Sequence, residues 1–148
     1  MSTHSAAAQR WFDQGLQLVY GFNHDEALRS FREAARQDPA CAMAWWGVAY
    51  ANGIHVNRGE MTAAASAEAY KAAQEAQSLA GGATPAEQAL IAAVTRRYAW
   101  PVPENRKPLD EAYAAGMELH PGRERGPHAH KRAKTGEQPL AVTGLQKP

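Results

Sequence analysis

The chain is poor in cysteine: Cys41 is the only one in 148 residues. A lone thiol forms no intrachain disulfide, which excludes the disulfide-stapled secreted domains. Long apolar runs are also missing. The longest apolar run, residues 40–51, falls well short of the roughly 20 apolar residues of a membrane-spanning helix. The start, Met1-Ser2-Thr3-His4-Ser5, has neither the basic residues nor the apolar core of a signal peptide. A soluble, cytoplasmic protein is the resulting expectation. No P-loop, dinucleotide fingerprint, HExxH or GxSxG pattern occurs, which removes the common routes to a named reaction. A non-enzymatic protein without cofactor or metal is therefore expected.

Net charge is small as well, at +1. That average conceals a split. Residues 1–120 hold ten Lys/Arg and thirteen Asp/Glu, while residues 121–148 hold six and two. An acidic body thus precedes a basic tail. The tail, residues 120–148, has four Gly, four Pro and no aromatic residue. It has too little apolar surface to offset its ordering entropy, so it is read as disordered.

What is present, over residues 5–119, is helical periodicity. Trp11, Gly15 and Leu18 lie at spacings of three and four, and so do Phe12, Leu16 and Val19. A second helix carries Ala27, Leu28, Phe31, Ala34 and Ala35. Between them Gly21 is placed to stop the first helix. Asn23 is placed to cap the second, with Glu26 as reciprocal partner in a capping box. So short a loop folds two helices into a hairpin. Asp38-Pro39 breaks the second helix. A third follows over residues 40–51, where Ala and Gly alternate with Trp45, Trp46 and Tyr50. Residues 52–61 read as a loop and 62–79 as an alanine-rich helix ending at Gly81-Gly82. Thr84-Pro85-Ala86-Glu87 combines a cap, a first-turn proline and a capping-box acid. Periodicity carries that helix to about Tyr98. Trp100-Pro101-Val102-Pro103 interrupts it, and Pro108 opens a last short helix.

Trp11, Gly15, Leu18, Ala27, Phe31, Ala34 and Pro39 together resemble one tetratricopeptide repeat. Trp45 and Ala49 follow Trp11 and Gly15 at the 34-residue period of that family. Leu18 stands where the family more often has Tyr, and Gln14 where it has Leu. Tyr70 and Ala73 are similar to the second-helix Phe and Ala of a second repeat, five residues late. Residues 84–119 match only as a further helical pair. The chain resembles the N-terminal part of a longer bacterial-type tetratricopeptide protein. The abrupt change at Pro121 suggests a truncated or shifted reading frame.

The resemblance implies an all-α stack of about three antiparallel helical hairpins in a right-handed superhelix. It implies that Trp11, Gly15, Leu18, Ala27, Phe31, Ala34, Pro39, Trp45 and Ala49 pack the repeats. It also implies a groove lined by Phe12, Leu16, Val19, Trp46 and Tyr50 that holds a protein or peptide partner. The absence of Lys, Asn and Arg from those positions points to an apolar helix or extended peptide. The same side chains equally fit a core covered by the chain's own later helices. So short a stack also makes self-association through an uncapped end credible.

Other polar clusters have plainer readings. Asn23-His24-Asp25-Glu26 sets a histidine beside carboxylates, but such residues are also what a helix N-terminus favours. His128 and His130 are two imidazoles without the further ligands of a closed metal site. Cys41 fits a small buried hydrophobe. His130-Lys131-Arg132-Ala133-Lys134 attracts phosphates, but with no base-reading element beside it nucleic acid is not the expected partner. Weak polyanion binding through this tail is the alternative function, with a fragment lacking independent function as a third reading.

Overall fold

A computed structural model describes residues 1–55 and 58–118. The tail readings, including His128, His130 and the basic cluster, lie outside the described residues. Among these the protein is all-helical: α1 (Ala6–Tyr20), α2 (His24–Gln37), α3 (Ala42–Ala51), α4 (Ala63–Leu79), α5 (Pro85–Thr95) and α6 (Lys107–Glu118), with a 3-10 turn at Ala80–Gly82. No described helix is long and apolar enough to cross a membrane.

Local chemistry sets the boundaries. Ser5 caps α1 by accepting a hydrogen bond from the Ala8 amide. Thr62 does the same for α4 at Ala65. Thr84 and Glu87 form the complete capping box of α5, with Pro85 in its first turn. At α2 only half of the expected box is made. Asn23 accepts from the Glu26 amide, but the Glu26 carboxylate turns outward to Arg29 at 2.5 Å. An adjacent guanidinium outcompetes a backbone amide for that carboxylate. Helix α5 stops at Thr95, three residues short of the periodic expectation, and Arg96 and Arg97 close it with amide bonds to Ala93 and Val94.

The stop after α1 differs from the sequence expectation. Gly21 keeps a negative φ of −80°, and Phe22 takes the left-handed conformation, with φ 60°. The Asn23 amide donates to the Leu18 carbonyl and the Phe22 amide to Val19, which is the Schellman pattern. Glycine ordinarily occupies that left-handed position, because any Cβ there is strained.

Consecutive helices pack in pairs, α1 with α2, α3 with α4 and α5 with α6. Helix α3 lies at the centre, touching α1, α2, α4 and α5. The core gathers around Phe31, which is fully buried. Its ring lies 5.4 Å from that of Phe12, and Phe12 lies 6.4 Å from Trp46. Two glycines make room for it. A Cβ on Gly15 would fall 2.6 Å from the Phe31 ring, and one on Gly47 would fall closer still. Gln14, where the repeat family has Leu, donates instead to the buried Ser30 hydroxyl at 3.1 Å and ties α1 to α2.

The first four residues are a strap that sequence patterning did not suggest. The Ser2 amide and hydroxyl both donate to Glu87. The Thr3 hydroxyl donates to Asp38, and the N-terminal ammonium reaches Gln9. Cys41 is buried beneath the strap, and burial pushes its thiol above the ordinary range.

Candidate functional site

The five residues expected to line a groove do not line one together. Phe12, Val19 and Trp46 are buried in the core around Phe31; Leu16 and Tyr50 stay half-exposed. Small residues at Gly15, Gly47 and Ala34 let α1, α2 and α3 close so tightly that the stripe next to the packing stripe is drawn inside as well. Among the expected packing residues, Gly15, Ala27, Phe31, Ala34 and Ala49 are buried, and Leu18 and Trp45 are half-buried. Trp11 is 37% exposed and Pro39 is exposed. The Trp45 indole donates to the Pro39 carbonyl at 2.9 Å, so that pair acts as a clasp between α2 and α3.

Among the described residues two concave surfaces stand out, and Val19 and Tyr50 border the smaller. The larger is a cleft of about 830 Å³ on the outer side, between α2 and α4, with Trp45 and Val48 of α3 as its floor. Its walls are small: Ala35 from α2 and Ala64, Ala67 and Ala72 from α4. Its rim carries both signs of charge, including Arg36, Lys71 and Glu75. Arg32 and Glu68 bridge the two walls through paired hydrogen bonds of 2.7 and 2.6 Å. Glu68 also accepts from the buried Asn52 amide, whose side chain holds the Val48 carbonyl too. The Arg32 guanidinium holds the Glu68 carboxyl below its ordinary range.

The smaller is a pocket of about 340 Å³ where the α1–α2 turn meets the ends of α3 and α5 and the middle of α6. Its walls are flat rings: Phe22, Tyr50, Tyr113 and the His24 and His55 imidazoles, which stack at 3.7 Å. Tyr50 is itself stacked on buried Trp46, at 5.0 Å and 13° between planes. Desolvation and the neighbouring Arg58 lower the pKa of His24; desolvation and then His24 lower that of His55. Burial raises the Tyr113 phenol.

Arg97 borders this pocket and is only 9% exposed. Its Nη2 donates to the Ile54 carbonyl at 2.5 Å, and its Cζ lies 4.7 Å from the Tyr113 ring centre. No carboxylate among the described residues pairs with it, and its Nε is buried without a hydrogen-bond partner. Gly53 makes the seat: a Cβ there would fall 2.5 Å from Arg97 Nη1 and 2.7 Å from the Tyr98 hydroxyl. That hydroxyl is buried and donates to the Ala49 carbonyl at 2.7 Å, and burial pushes the phenol up to about 12.

The remaining sequence candidates are structural. In Asn23-His24-Asp25-Glu26, His24 stacks on His55, Asp25 pairs with Arg58 at 2.8 Å and Glu26 pairs with Arg29. Among the described residues no three His, Cys, Asp or Glu side chains gather as a metal site would require. Arg97 continues the periodic stripe of Ala93 and Val94, a position to which the sequence assigns no functional role. A cation on the buried stripe was the available signal. No protein-family model matches the chain, and neither does any curated protein or solved structure.

Proposed function

We propose that the chain is a protein-interaction scaffold whose helix pairs stack as tetratricopeptide repeats do, and that an amphipathic helix of a partner protein seats between α2 and α4. The outer cleft carries this reading. Its alanine walls let a foreign backbone approach closely, and its Trp45–Val48 floor offers apolar surface to one helical stripe. The mixed-charge rim suits a helix whose flanks carry both signs, as amphipathic surface helices do.

Site-specific photocrosslinking in the source cells tests it. A crosslinker at position 67, in the cleft, should capture one partner polypeptide that a crosslinker at Ala114, exposed on α6, does not. Ala64→Arg should abolish the capture while leaving helicity intact, because it fills the cleft from an exposed wall position. Equal capture from both positions, capture of a second copy of this chain, or indifference to Ala64→Arg overturns the reading.

A further inference from the structure

We propose that the pocket beside Arg97 is a binding site for a small aromatic acid, a carboxylate carried on a flat ring. The site shares no lining residue with the outer cleft, so it stands or falls independently of the scaffold reading.

The first observation is a charge left without an answer. Buried guanidinium groups are ordinarily paired, because an uncompensated charge away from water is costly. Arg97 meets a carbonyl and two tyrosine rings, but no anion among the described residues. The nearby carboxylates are already engaged: Asp25 with Arg58 and Asp110 with Arg106. No acidic residue among the described ones borders the pocket. A ligand anion would supply the missing counter-charge.

The second observation is that the cation is held in place. Gly53 leaves just enough room for the guanidinium, and the Tyr98 hydrogen bond to Ala49 fixes the neighbouring ring. A group already ordered loses little entropy on binding. Arginine presents a planar set of donors, which suits a planar carboxylate better than a lysine would.

The third observation is the shape and chemistry of the rest. Tyr50, braced by Trp46, and Phe22 offer flat faces, and about 340 Å³ holds a single ring with its acid group rather than a helix. Phe22 is 63% exposed and sits in a left-handed backbone conformation that glycine would adopt without strain. Such strain at an exposed aromatic is accounted for if the ring serves the pocket, since the fold gains little from burying it.

The test is an NMR titration of the full chain with benzoate, benzamide and inorganic phosphate. Benzoate should bind saturably with a Kd on the order of 1 mM, shifting the Gly53 and Ile54 amides. Benzamide keeps the ring and lacks the charge; phosphate keeps the charge and lacks the ring. Each should bind about tenfold more weakly or worse. Arg97→Gln should lose benzoate by about tenfold. Because Arg97 is buried and its variant risks misfolding, Phe22→Gly is the companion. It should weaken benzoate several-fold in a protein at least as thermally stable as the parent. The proposal is overturned by benzamide or phosphate matching benzoate, by no saturable shift at those amides, or by unchanged affinity in Phe22→Gly.

Discussion

Phe31 and Arg97 are both seated against glycines, and the two seats end differently. Around Phe31, Gly15 and Gly47 admit a ring that is then enclosed by Phe12, Trp46 and buried alanines. Everything there is apolar, and nothing is left to satisfy. Around Arg97, Gly53 admits a guanidinium that is enclosed almost as completely, yet its charge has no counter-ion in the described chain. One seat is finished by folding. The other is left with something for a ligand to supply. Close packing alone therefore does not single out a position for binding; close packing around an unanswered charge is what sets Arg97 apart.

The contrast can be broken at several points, the largest first. Phe31→Ala should destabilise by about 3–5 kcal/mol in urea unfolding, because it empties a cavity walled by three helices. A loss below about 1 kcal/mol would mean that the helices close over the gap and that the seat is not rigid.

The Arg97 side should show itself in alkali. The Tyr98 phenol is pushed up to about 12 in the fold from an ordinary 10.0, so folding favours its neutral form. Its stabilising contribution is whole below pH 10, falls as pH rises toward 12, and amounts to about 3 kcal/mol in total. Tyr98→Phe should therefore flatten the parent's stability loss over that window, as read by unfolding midpoints at successive pH values. An unchanged alkaline slope would mean that the phenol is not buried as described.

The two glycine seats can be compared directly. Gly47→Ala should cost about 1–3 kcal/mol, since the added methyl meets a ring locked in the core. Gly53→Ala should cost less, because the added methyl meets the ends of two side chains rather than the body of a ring enclosed on all sides. If Gly53→Ala is the more damaging variant in thermal melts, the Arg97 seat is the stiffer of the two and the comparison reverses.

The smallest effect has the opposite sign. Phe22→Gly should stabilise by about 1 kcal/mol, through relief of the left-handed strain at little loss of packing. A destabilised Phe22→Gly would show that the ring is part of the core.

Much of the helical layout is legible along the chain, because its causes are local. Thr84-Pro85-Ala86-Glu87 makes the capping box its spacing suggests, and Asn23 caps α2 as a short polar side chain before a helix should. Gly15 and Phe31, sixteen residues apart, meet because a short loop turns α1 back onto α2. The stop after α1 was misplaced by one residue. Glycine preference pointed to Gly21, while the Schellman bonds of Leu18 and Val19 put the left-handed residue at Phe22. Groove and core stay open for Phe12, Val19 and Trp46 in the sequence, because periodicity tells which residues share a stripe, not which stripe the neighbouring helices will cover. Phe12 and Trp46 share their stripes as expected, and those stripes are inside.

That the described residues form helices, and where most of those helices begin and end, follows from propensity, capping and proline, which act within a few residues. Which aromatics are core, that Ser2 reaches Glu87, that α2 and α4 leave a cleft, and that Arg97 is enclosed without a counter-ion among the described residues all come from the packing of whole helices. Each of those depends on residues tens of positions apart in the chain. Their meeting is set by how closely small side chains allow whole helices to approach, a property of packing that no local pattern encodes.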